Sequence, residues 1–244
     1  MSPTTRDSIL TLYNLKMLES TEDLLGAKSW AESALGSRNA AKYFMGKANF
    51  VIAYRDLSSF SFVIARESMY GQLYGTTAHF DERCQSVALA DSTSDSFHDL
   101  KRGGSSQFWE AVTLDNGSKI ELLQDAAEIN QVIDVHAPDS SVRPGDPEEV
   151  FWGGIRDQVG ELVACAVVVR WQSGFHVLSS VVTRTPDRGK GYGTALSRGI
   201  ISHAYSLGIE EIGLGVRTAN IAAQRAYQRA GFKMIGAFTN YSRA

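Results

Sequence analysis

The sequence predicts an α/β (α+β) protein built on a mixed, mostly antiparallel sheet flanked by helices. Short β-branched runs at 150–155, 162–171 and 175–183 follow one another across turns, which is the pattern of consecutive strands. Downstream, helical patterns at 192–207 and 221–230 alternate with strands at 212–216 and 232–239. At 244 residues, 43% hydrophobic and 21% charged, the chain has the composition of a folded globular protein and room for one large domain or two small ones.

In the first half, Ile9, Leu10, Tyr13, Met17 and Leu18 recur at helical spacing, and residues 20–23 read as a capping box opening a second helix through Leu35. Strands are expected at 50–54 and 60–64 with 56–59 as their hairpin connection, then at 86–90 and 108–114. Between the last two lies a polar, serine-rich segment, 91–106. Within it Lys101-Arg102-Gly103-Gly104 reads as a surface turn, because no apolar helix follows the glycines. Asp115-Asn116-Gly117 is a turn signal that closes this half. The expected division is therefore an N-terminal α+β domain, 1–117, and a second domain, 118–244. The first carries no recognisable chemistry.

The second half opens with a strand at 119–123 and a helix at 126–135 whose apolar face holds Ile129, Val132 and Ile133. Residues 136–149 contain three of the five prolines and the carboxylates Asp139, Asp146, Glu148 and Glu149, so this is either a binding loop or a mobile connection. In the 192–207 helix, Leu196, Ile200, Ala204 and Leu207 share a face, and Gly208 suits a left-handed C-terminal cap. Gly213 and Gly215 interrupt the next strand on one face, a sign of close approach by a ligand or another backbone. Asn220 caps the following helix and Gly231 ends it.

The chemistry centres on Val181-Val182-Thr183 and the cluster Arg188-Gly189-Lys190-Gly191-Tyr192-Gly193-Thr194, where a strand ends and a helix begins. A helix N-terminus presents unpaired N–H groups and partial positive charge, glycines let phosphate approach the backbone, and Arg188 and Lys190 add cationic donors. The local reading is a diphosphate cradle. A Walker loop would need glycine at the position of Arg184 and Ser or Thr at that of Gly191. A dinucleotide fingerprint would need a wider last glycine gap.

What does match is Arg188-x-x-Gly191-x-Gly193 after the strand, followed by Val216-Arg217-x-x-Asn220-x-x-Ala223-x-x-x-Tyr227-x-x-x-Gly231-Phe232. Over 119–241 this resembles the acetyl-CoA-dependent N-acetyltransferase (GNAT) superfamily. The resemblance implies that residues 188–194 hold the CoA diphosphate, that Val181, Val182 and Thr183 bind the pantetheine arm, and that Asn220 contacts the cofactor besides capping its helix. It also implies a strand pair splayed beside Gly213 and Gly215 to leave an acyl slot. Tyr227 is implied as the general acid that protonates the leaving thiolate, against its bland role as a rim aromatic. His176 is a candidate base, ahead of Glu161, Asp139 and Glu149; a structural histidine with water accepting the proton is the competing reading. His203 reads as a packed or surface residue.

The function expected is transfer of an acetyl group from acetyl-CoA to a primary amine through a ternary complex, the acceptor a small-molecule amine or amino acid. A non-catalytic acyl-CoA sensor and a transferase acting on protein N-terminal or lysine amines are the alternatives. The helix, helix, strand, strand order of residues 5–66 loosely repeats that of the second half, so the first half is read as a degenerate copy lacking the phosphate loop. A net charge of −3 gives no basic field for nucleic acid, and no apolar run reaches membrane-spanning length. The five histidines and two cysteines show no metal-site spacing, so no metal is expected. Cys84 and Cys165 read as free thiols of a cytoplasmic protein without an apolar signal core, a monomer or homodimer.

Overall fold

The computed structural model describes residues 101–112, 119–171 and 174–242 (apart from the Phe238 side chain) and the backbone of five earlier strands. Those strands are β1 (Lys16–Leu18), β2 (Phe50–Arg55), β3 (Phe60–Ala65), β4 (Tyr70–Tyr74) and β5 (Ser86–Ala90). Next come β6 (Lys101–Ala111), β7 (Glu121–Leu123), α1 (Ala126–His136), β8 (Glu149–Arg156), β9 (Leu162–Arg170) and β10 (His176–Thr183). A 3-10 turn (Thr185–Asp187), α2 (Tyr192–Ser206), β11 (Ile212–Arg217), α3 (Ile221–Arg229) and β12 (Phe232–Ser242) complete the order. None of the described helices is long and apolar enough to cross a membrane.

The chain forms two compact units, Met1–Gln107 with Arg217–Ala219 and Ile235–Ala244, and Phe108–Val216 with Asn220–Met234. The boundary expected after residue 117 lies in 113–118, outside the described residues. In the first unit β1–β2, β2–β3 and β3–β4 pair antiparallel and β4–β5 parallel. The end of β12 lies antiparallel on β5, from Phe238↔Ala90 to Ser242↔Ser86. In the second unit β7–β8, β8–β9 and β9–β10 pair antiparallel and β10–β11 parallel. There β11 is flanked on its other side by β6. The same succession of pairings therefore occurs twice, in a sheet that is mixed and mostly antiparallel.

Two expectations in the first half are corrected. Met17 and Leu18, read as helical, lie in β1 and pair with Ile52 and Val51. An adjacent apolar pair fits the spacing of a helix face and a short strand alike, and the neighbouring strand decided it. The two expected helices otherwise fall outside the described residues, as does the 56–59 connection. Lys101–Gly104, read as a surface turn, is the start of β6. Its exposed, glycine-rich sequence has no apolar alternation. Partners far along the chain hold it instead: Asn240 Nδ2 donates to Gly104 O at 3.1 Å, and the Ser105 and Thr239 hydroxyls meet at 2.8 Å.

Strand β9 is buried along Leu162–Val169 and serves both faces of the second unit's sheet. Ala164, Ala166 and Val168 join a core with Leu196, Ile200 and Ile201 of α2, Tyr227 of α3 and Phe232. The intervening Val163, Cys165, Val167 and Val169 point to the opposite face, as strand alternation requires. There α1 covers them with Ile129, Val132 and Ile133. Burial pushes the Cys165 thiol up to about 12.

Candidate active site

Strands β10 and β11 pair only at His176↔Ile212 and Val177↔Gly213; beyond that point β10 has no partner on this side among the described residues. On its other side it stays paired with β9 through Thr183↔Ala164, except for a bulge between Ser179 and Val182. The expected splay is thus present, but Gly213 has a different reason. A Cβ there would stand 2.6 Å from the Phe108 ring and 2.8 Å from that of Phe175, so the glycine makes room for two core aromatics rather than a ligand. Those rings meet edge to face, 6.2 Å apart.

The bulge and the splay together leave backbone groups facing the gap. Arg184 N donates to Val163 O at 2.9 Å, so Arg184 and Val182 direct their peptide groups toward β9. Thr183 turns its own away from it. Thr183 O accepts from Arg188 Nε at 3.3 Å on that side.

At the end of β10 the chain turns sharply. Gly189 and Gly191 hold φ of +83° and +90°, in the left-handed region, and a Cβ on either would meet no other atom within 4 Å. Gly191 is the N-cap of α2 and supplies no side-chain cap. The first intrahelical bond is Ala195 N to Gly191 O at 3.0 Å. The amides of Tyr192, Gly193 and Thr194 thus have no acceptor among the described residues, and they form a concave, partially positive surface with open space before it.

Beside it, Arg188 uses Nη2 to reach His136 O at 2.8 Å, at the end of α1. Thr185 N donates to His136 Nδ1 at 3.2 Å, so this histidine, which sequence reasoning missed, pins the turn ahead of the cradle to α1. Asp187, buried, accepts from Arg184 Nε and from Lys190 Nζ, each at 2.8 Å. The hydrogen bond from Lys190, then that from Arg184, holds its carboxyl below the usual aspartate range. Asp187 in turn raises Lys190. Lys190 spends one of its three donors on this contact and keeps two. Arg184 also forms ion pairs with Asp157 Oδ2, at 3.4 Å, and with Glu161.

Asn220 caps α3 as expected, its Oδ1 accepting from Ala223 N at 3.1 Å. Tyr227 is seven residues on along the same helix, about two turns, and so on the same face. Its ring is buried and meets Phe232 edge to face at 5.8 Å. Burial pushes the phenol up to about 12. Thr194 Oγ1 lies 3.4 Å from Ala226 O, which brings the two helix ends together.

His176 is half-buried at the start of β10, where that strand is paired on both sides. Five residues, about 16 Å of extended strand, separate it from Val181. Glu149 Oε2 accepts from Gly145 N at 3.0 Å. His203 packs edge to face on Phe151 at 4.8 Å, in line with a packed residue. The 137–148 loop is tied down: Arg143 bonds Asp134 at 2.6 Å and Pro138 O at 3.2 Å, and Val142 is buried.

Residues 120–232 match the model of the acetyltransferase (GNAT) family. Among solved structures, the chain is similar to a GCN5-related N-acetyltransferase from Sphaerobacter thermophilus, at 15% identity over 93% of this chain and 94% of that one, with a TM-score of 0.60. It is similar also to a GNAT-family acetyltransferase from Colwellia psychrerythraea, at 15% identity over 94% and 99%, with a TM-score of 0.56. At such identities the likeness is one of fold. No curated protein matches the sequence.

Proposed function

From the premise that residues 120–232 are a GNAT-family acetyltransferase domain, we propose that the protein transfers an acetyl group from acetyl-CoA to a primary amine. The observation that carries this is the uncapped N-terminus of α2, reached through two glycines at positive φ, at the end of a strand that has parted from its neighbour. A diphosphate fits the amides of residues 189–194 with Arg188 and the spare donors of Lys190. A pantetheine amide chain fits the open side of Val181–Thr183 in the manner of an added strand.

In this reading the amine attacks the thioester carbonyl directly, the gain coming from holding both reactants in one slot. A backbone N–H of the bulged end of β10 donates to the developing oxyanion. Tyr227 carries its proton throughout the neutral range and donates a hydrogen bond to the sulfur as the carbon–sulfur bond breaks. Full transfer from a phenol near 12 to an ordinary thiolate of pKa about 8.5 is uphill, so the phenol acts by stabilising negative charge on sulfur before the proton moves. His176 is too far along the strand to touch the reacting nitrogen near Val181 directly or through one water, so a chain of waters accepts the proton of the amine. The acceptor is a small amine or amino acid entering beneath the 137–148 loop, and the enzyme works in the cytoplasm without a metal.

The first half is a degenerate copy of the second. Its strands repeat the pairing order, while 11 residues (75–85) join β4 to β5 where 28 (184–211), including the cradle and α2, join β10 to β11. One experiment tests the function: thermal unfolding with acetyl-CoA and with CoA, then thiol release over a panel of amines. Binding at a hundredfold excess over Kd raises stability by about 2.7 kcal/mol. Stabilisation without turnover on any amine would favour the sensor, and no stabilisation would end the proposal.

A further inference from the structure

Ser180 is the single non-glycine residue with positive φ among the described residues, at +46°. It sits in the β10 bulge, between Ser179 and Val182. Serine gains nothing locally from that conformation; glycine or asparagine enters it more readily. What holds it is a two-way contact. Ser180 Oγ donates to Val142 O at 2.9 Å and accepts from Val142 N at 3.2 Å. Next to it the hydroxyls of Ser141 and Ser179 meet at 3.4 Å. The donor and acceptor of one loop residue are therefore both satisfied by one side chain of the bulge, and Val142 itself is buried.

The placement matters because of what lies on either side. The residue after Ser180 is Val181, in the same bulge of β10, beyond the point where that strand leaves β11. The residues around Val142 form the proline-rich loop 137–148. One hydroxyl thus joins the strand that faces the acyl group to the loop beside it.

We infer that Ser180 is a positioning residue that locks the 137–148 loop to the bulge, so that the acyl slot and the wall against which the amine is held move as one. The inference rests on the acyl-transfer reading above. Its consequence is coupling: acetyl-CoA laid along β10 immobilises the loop, and the loop presents the amine to a carbonyl already held at the bulge.

Ser180→Gly separates this role from backbone strain, because glycine accepts φ +46° freely and carries no hydroxyl. Amide hydrogen exchange at Val142 reads the lock directly, and calorimetry with acetyl-CoA reads the cradle. In the ligand-free proteins, exchange at Val142 is expected to be at least tenfold faster in Ser180→Gly. Acetyl-CoA should slow it in the wild type and leave it fast in the variant, while Kd for acetyl-CoA changes less than twofold. In turnover, KM for the amine should rise and kcat fall, each severalfold. Equal exchange at Val142 in the two proteins, or equal protection by acetyl-CoA, overturns the inference. Faster exchange with wild-type KM and kcat overturns it too, since the contact would then be structural only. Absence of acetyl-CoA binding by the wild-type protein instead ends the acyl-transfer reading, and this inference with it.

Discussion

Gly191 and Tyr227 carry the most direct consequences of single side chains. Gly191 holds φ +90°, and an added Cβ there would meet no other atom within 4 Å. Gly191→Val forces a β-branched residue into the left-handed region, at about 1–3 kcal/mol, and places its methyls in the cradle. Calorimetry should find acetyl-CoA affinity reduced by roughly 30-fold or more, about 2 kcal/mol, and thermal unfolding should show a lower Tm. Tyr227→Phe should leave that affinity unchanged and lower kcat by about 100-fold, the usual worth of a positioned acid. Burial raises the folded-state phenol to about 12, above its unfolded value near 10. Its contribution to stability is therefore complete below pH 10 and is lost as pH rises through 12. Melting curves between pH 9 and 12 should fall more steeply for the wild type than for Tyr227→Phe.

At the scale of elements, the 3-10 turn Thr185–Asp187 is the hinge between strand and cradle, and Asp187 organises it by holding Arg184 and Lys190 together. A carboxyl depressed in the folded state stabilises above its unfolded pKa and loses that effect as pH falls through the folded one. The turn should thus keep its geometry at neutral pH and loosen only in acid, below the usual aspartate range. Asp187→Asn should mimic the acid state at pH 7: a lower Tm and acetyl-CoA binding weakened severalfold, with kcat at saturating substrate nearly intact. Titration by calorimetry at pH 7 checks this, and a variant that binds as the wild type does would show that the turn needs no ion pairs. In the second half the helices were the legible elements. The Asn220 side chain caps α3, and Gly208 follows α2 at φ +79°. Capping is local chemistry, so residues next to each helix end announced it. Strand β4 and the first residues of β6 gave no such notice, because a strand without apolar alternation exists only through its partners.

For the whole molecule, the two compact units do not follow the chain's midpoint. The second unit includes Phe108 and Trp109, both buried, with the Phe108 ring filling the space left by Gly213. A fragment beginning at residue 118 lacks both. Removing one large core aromatic costs about 3–5 kcal/mol, so losing two approaches the whole stability of an ordinary domain. The fragment 118–244 should fail to give a cooperative melt by circular dichroism and should not bind acetyl-CoA, whereas the full chain does both. A fragment that melts cooperatively and binds would show that the unit stands without this strand.

The sequence by itself determined the strand-to-helix turn at the glycines and the helices of the second half. Positive φ, an uncapped helix start and an N-cap asparagine are properties of a few adjacent residues, and the spacing from Arg188 to Phe232 is written along the chain. Only the tertiary structure decided where β10 leaves β11, that Gly213 yields its space to Phe108 and Phe175, and that Ser180 grips Val142. It also decided that His136 pins the turn ahead of the glycines, and that the chain's last strand lies on β5. Each of these joins residues from 36 to more than 100 positions apart. Such pairs are chosen by packing and by satisfying buried backbone groups, for which no local pattern of residues is a code.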